Sequence, residues 1–139
     1  MPCLSAKVAQ REVAKMRVWI MNADGNTYGQ SITGTLEELQ GIVRGDVEAI
    51  PLRDDLTLWV NEEGKLDGLP YNHNATLIWE ATFGKGSDII VGNAFFTGGF
   101  DENGNTLGIS DEAVAYLKAT LAREAEKFIS EHIKVIMVG

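Results

Sequence analysis

The run Leu56–Asn61, Leu-Thr-Leu-Trp-Val-Asn, alternates strictly between two kinds of side chain. In an extended chain Leu56, Leu58 and Val60 fall on one face, and Thr57, Trp59 and Asn61 on the other. A helix would scatter the same residues around its axis, so the pattern commits this segment to a sheet. An apolar run at 47–52 precedes it across the polar break Arg53-Asp54-Asp55, a separation of hairpin length. Pro51 carries no amide hydrogen, which places the first strand of the hairpin at a sheet edge or ends it there. Glu62-Glu63-Gly64 closes the second strand with a charged turn.

The flanking segments supply the other elements. Residues 16–21 read as an opening strand, Asp24-Gly25 as the centre of a turn, and residues 28–32 as a short return strand. Thr35-Leu36-Glu37-Glu38 is a capping box, in which the threonine oxygen caps the helix and Glu38 reaches back. The helix it opens, Leu36–Val43, carries Leu36, Leu39, Ile42 and Val43 as its apolar face, with Gly45 placed as C-cap. Pro70 turns Leu69 away from helical geometry, and Asn72 or Asn74 caps a second helix over 75–81. In that helix Leu77, Ile78 and Ala81 form the buried stripe, with Trp79 and Glu80 turned differently. Residues 88–96 are almost wholly apolar, as expected of a central strand covered on both faces. Gly92 marks a bulge or a close backbone approach within it.

Ser110 caps the longest helix, with Asp111 and Glu112 in its first turn and a stripe of Val114, Leu117, Leu121, Ala125 and Phe128. Residues 133–138 return to strand-like composition, with Lys134 their only charge. Such a segment is expected to pair within the sheet or across a subunit interface, which makes a homodimer an expectation. The fold class is therefore α+β: a mixed, largely antiparallel sheet with two short helices and one long C-terminal helix packed on it. Residues 16–139 form this single domain and residues 1–15 an N-terminal extension.

Charge narrows the classes of partner. The chain of 139 residues has a net charge of −8. Residues 1–15 contribute +2, through Lys7, Arg11 and Lys15 against Glu12, which leaves −10 for the rest. A surface of that sign repels phosphate backbones, so nucleic acid is not an expected partner and a protein with a basic surface is. Cys3 stands alone, so neither a disulfide framework nor a cysteine-rich metal site is expected. No leader-like apolar core opens the chain, and no run approaches the roughly eighteen apolar residues of a membrane span. The expected location is the cytoplasm, with no membrane partner.

The order of four motifs points to relatives. Ile50-Pro51-Leu52, then Asn61-Glu62-Glu63-Gly64-Lys65-Leu66, then Gly68-Leu69-Pro70-Tyr71-Asn72, then Ile89-Ile90-Val91-Gly92-Asn93-Ala94 resembles a family of small phage and mobile-element proteins known only as a domain of unknown function. The resemblance covers roughly residues 16–96. Where that family usually has a proline and an arginine around the asparagine, this chain has Tyr71 and His73. The resemblance implies a phage setting and a host cytoplasm, and it brings no established activity.

Two constellations bear on chemistry. Trp59, Tyr71, Asn72, His73, Asn74, Trp79 and Asn93 combine aromatic faces with amides, the groups that a planar, hydrogen-bonding ligand such as a nucleobase needs. The same asparagines also serve as helix caps and the tryptophans as core. Asp101-Glu102-Asn103-Gly104-Asn105, with Glu112 at the twelfth position, has oxygen ligands spaced as in a calcium loop. Thr106 stands where that loop needs glycine, Ile109 stands at a ligand position, and no helix precedes it. An Asn-Gly turn explains it better, and no metal or cofactor is assigned. No local motif singles out a catalytic nucleophile, and Gly84-Lys85-Gly86-Ser87 is too short for a phosphate loop. The expected function is non-enzymatic: a phage accessory protein that binds a host protein, with a defence or nucleic-acid enzyme as the candidate class. The alternatives are a small-molecule, nucleotide-like binding or sequestering protein, and an enzyme of unknown type.

Overall fold

The computed structural model describes residues 15–138, so the expected extension lies outside the described residues except for Lys15. Among these described residues five strands and three helices follow in the order β1 (Met16–Met21), β2 (Thr27–Ile32), α1 (Leu36–Val43), β3 (Val47–Arg53), β4 (Leu56–Asn61), α2 (His73–Phe83), β5 (Ala94–Thr97) and α3 (Asp111–Val138). The strands form one sheet in the order β2-β1-β5-β4-β3. Every pairing is antiparallel, where the sequence allowed a mixed sheet. Two hairpins, β1–β2 and β3–β4, are thus joined side by side by β5, the last strand to be made.

The alternation in β4 does what its period requires. Leu56, Leu58 and Val60 enter the core beneath α2 and α3, together with Met21, Ile78, Phe96, Ile109, Val114 and Leu117. Trp59 turns to the opposite face, where α1 covers Val18, Ile20, Ile32 and Phe95 with Leu39 and Val43. The sheet is therefore sandwiched between α1 and the α2–α3 pair. β3 lies at one edge, as Pro51 demands, with a register irregularity between Pro51 and Arg53. α3 docks through Ala113, Val114 and Leu117. Its start is held by Arg17, which donates to Ile109 O at 3.3 and 3.2 Å and to Asp111 Oδ1 at 2.7 Å.

Several expectations are corrected. The apolar stretch at 88–96 forms strand only from Ala94, because Gly92 sits at φ 77° and turns the chain there. Upstream of it, Val91 makes a single bridge to Tyr71. The strand is still central and buried on both faces, with Phe95 on the α1 side and Phe96 on the other. Residues 133–138 are not a sheet strand but the end of α3, a helix of 28 residues. The C-cap of α1 is Arg44, left-handed at φ 62°, rather than Gly45. Gly45 is required for space: a Cβ there would lie 2.5 Å from Asn61 Nδ2. Leu36 stands outside the apolar face of α1 at 59% exposure. In α2 the buried residues are Ala75, Thr76 and Ile78, and Trp79 packs half-buried against the larger core.

Candidate functional site

Asn72 is the polar centre of the region singled out in the sequence. Its side chain is fully buried, and its Nδ2 donates to Met21 O at 2.9 Å and to Gly92 O at 2.8 Å. Its Oδ1 accepts from Ala75 N at 3.1 Å, which caps α2. Every hydrogen-bonding position of the amide is thus filled except one oxygen lone pair. Thr76 completes the set from the next turn. Its hydroxyl donates to Asn72 O at 2.8 Å and accepts from Ile90 N at 2.9 Å. Gly92 N donates to Pro70 O at 2.6 Å, and a Cβ on Gly92 would come within 2.7 Å of Leu69 Cδ1. The Gly-Leu-Pro-x-Asn and Ile-Val-Gly-Asn motifs are therefore two halves of one joint, which ties α2 to the ends of β1 and β5.

The other members of the constellation separate. Trp59 lies on the α1 side of the sheet, stacked on Phe95 with centroids 5.6 Å apart, and its Nε1 donates to Thr97 Oγ1 at 2.8 Å. Trp79 donates to Ser87 Oγ at 3.0 Å and packs on Phe83. Asn93 Oδ1 accepts from Ala23 N at 3.0 Å, and Asn74 Nδ2 reaches Gly25 O at 3.4 Å, so both brace the β1–β2 turn. Tyr71 and His73 remain exposed and tilted against each other, with centroids 6.1 Å apart.

His73 and Asn74 also stand at one end of a groove of about 1270 Å³ between α2 and α3. Leu77, Glu80, Ala81 and Lys85 line it from one side, and Leu121, Arg123, Glu124, Ala125, Lys127 and Ile129 from the other. The sequence pointed to the end of this groove but not to its length, since that depends on how two helices distant in the chain are set against each other.

The ionised groups with shifted acidity lie elsewhere and are structural. A hydrogen bond from the Thr33 hydroxyl, reinforced by amides of Thr33 and Thr35, holds Glu38 below the usual glutamate range. Lys65, with the Ile89 amide, lowers Asp88. The Asn105 amide is the largest influence lowering Asp101, with the Asn105 side chain and the Asn103 amide adding to it. The Asp101 carboxylate of the calcium-like stretch is thus engaged in a turn closed by the Phe100–Thr106 bridge. Among the described residues no group of three or more potential ligands is gathered for a metal, and no helix is long and apolar enough to cross a membrane.

No curated protein and no solved structure matches the chain. A family match runs over residues 16–122, from the first residue of β1 to a point part-way along α3, and takes in both halves of the Asn72 joint. On that match the chain belongs to the family described as Domain of unknown function (DUF3846).

Proposed function

We propose that this chain is a non-enzymatic accessory protein of a phage or mobile element, which acts in the host cytoplasm by binding a host protein with a basic surface. The observation that carries the reading is the way charge is distributed. Among the described residues Arg17, Arg53, Lys65 and Lys127 are engaged with Asp111, Asp55, Asp88 and Glu124. Lys118 is drawn over the Trp19 ring at 5.1 Å. These pairs cancel charge one for one, so the net −10 that residues 16–139 carry is an excess of acid with no cation in the same span to offset it. Such a field steers basic partners and turns away phosphate. The buried, mutually satisfied Asn72 joint supplies a rigid frame and offers no reactive group.

The test uses the full chain as bait in a host-cell lysate. A captured protein with a basic contact surface should be held at low ionic strength and released as salt rises, because screening weakens such contacts. Retention unaffected by salt, or no specific partner, counts against the proposal. The α2–α3 groove favours a second reading, a nucleotide-like small-molecule binder with His73 and Asn74 at the groove end. A thermal shift with a nucleotide panel, abolished by His73→Ala, would favour that reading over the first.

A further inference from the structure

We propose that the outer edge of β2, which pairs with no further strand among the described residues, takes up an extended polypeptide segment with an uncharged centre and basic ends, adding a sixth strand beside the five-stranded sheet. The proposal rests on the binding function above and names a surface and a partner chemistry for it.

The outward-facing groups follow from the parity of the antiparallel ladder. Asn22 N donates to Asn26 O at 2.8 Å, so bonded pairs recur at every second position: Ile20 with Tyr28, Val18 with Gln30, Met16 with Ile32. The far side of β1 agrees, since Arg17 O is turned away from β2 and accepts from Ile109 N at 2.9 Å. Thr27, Gly29 and Ser31 therefore direct their N–H and C=O groups away from β1. No hydrogen bond to these groups forms among the described residues. They make a ready template for another strand.

The two sheet edges differ sharply. By the same parity, starting from Glu62 N to Asp46 O at 2.8 Å, Pro51 faces outward on β3. There it deletes a donor, next to a register irregularity and between Glu48 and Arg53. That edge is protected. β2 has no proline, no charge and a regular register over all six residues. Gly29 leaves room for the Trp19 ring, which lies 3.1 Å from where a Cβ would stand. Tyr28 presents a half-exposed ring beside it.

Charge selects the occupant. Residues 25–36 contain no Asp, Glu, Lys, Arg or His, whereas Asp24 precedes them and Glu37 and Glu38 follow. Both ends of the template are acidic, so a strand with basic residues at its two ends is matched in either direction. A second copy is not matched. Antiparallel β2–β2 pairing would bring Asp24 of one copy toward Glu37 of the other, in a chain already at −8.

Amide hydrogen exchange on the full chain tests this, using the synthetic peptide Lys-Thr-Val-Thr-Val-Thr-Val-Lys and the same peptide with glutamate at both ends. The lysine peptide should slow exchange at Thr27, Gly29 and Ser31 by about tenfold or more, and the glutamate peptide should not. Ser31→Pro removes an outward N–H while leaving the bonds to β1, and should weaken the lysine peptide about tenfold. Glu37→Lys, exposed and outside the strand, should weaken it as well and covers the case in which the proline variant fails to fold. No protection at millimolar peptide, or equal protection by both peptides, overturns the proposal. So do edge amides already slow without peptide in a species of doubled mass, since a second copy would then hold the edge. If a lysate partner is captured equally well by Ser31→Pro, the edge assignment fails while the binding function stands. If the lysine peptide protects the edge but no cellular partner is found, the edge stands and the function fails.

Discussion

At the residue scale the fold turns on Asn72, whose amide does three jobs with two atoms. As a cap it was one of two readable candidates beside Asn74, because an asparagine shortly after a proline and before an apolar run favours that use. Its donation to Met21 and Gly92 was not, because those carbonyls lie 51 and 20 residues away and only the assembled sheet brings them close. The same holds for Trp59. Its alternation placed it on a face, but nothing local could say that the face belonged to α1, away from His73. Asn72→Ala should cost about 3 kcal/mol, combining a lost cap with two buried carbonyls left unpaired. Asn72→Asp should also destabilise, since a carboxylate retains the cap acceptor but cannot donate to either carbonyl. Urea denaturation checks both, and a loss below about 1 kcal/mol for the alanine variant would mean that water replaces the side chain.

Elements with a strong local period were legible and those defined by tertiary contacts were not. The capping box and the alternation gave α1 and β4 their observed bounds, Leu36–Val43 and Leu56–Asn61. β5 was read too long because apolar composition alone cannot register the turn at Gly92. Residues 133–138 were read as strand because Ile and Val dominate them, yet they prolong a helix already established. Adding a turn to an existing helix costs far less than nucleating one, so β-branched residues are tolerated there. This changes what a truncation should do. Among the described side chains the core members on α3 end at Leu121, which packs against the larger cluster. A chain ending at Lys127 is therefore expected to unfold cooperatively and to keep slow amide exchange in β4 and β5. Loss of that protection would place part of the core beyond the described contacts of α3.

For the whole molecule, the decisive quantity is the excess of acid. At neutral pH the chain should fail to retain duplex DNA at physiological salt, and submicromolar, salt-sensitive binding in an anisotropy assay would overturn the acidic-surface argument. Acidity also sets the pH response of the fold. Glu38, Asp88 and Asp101 all have folded-state pKa values lowered from 4.5, 3.8 and 3.8. A lowered carboxylate stabilises the folded state above its unfolded pKa, and this contribution disappears as pH falls through the folded value. Stability from these three groups should therefore be intact near neutrality and begin to fall below about pH 4.5, Glu38 first. Protonating Glu38 weakens its acceptance from Thr33 and Thr35, and protonating Asp88 breaks the pair with Lys65. Glu38→Gln separates this local effect from the general loss of negative charge. The variant keeps an acceptor in the capping box but has no proton to take up, so its urea midpoint should fall less than wild type between about pH 6 and about pH 3. Parallel pH curves for the two proteins would mean that the capping box contributes nothing to the acid transition.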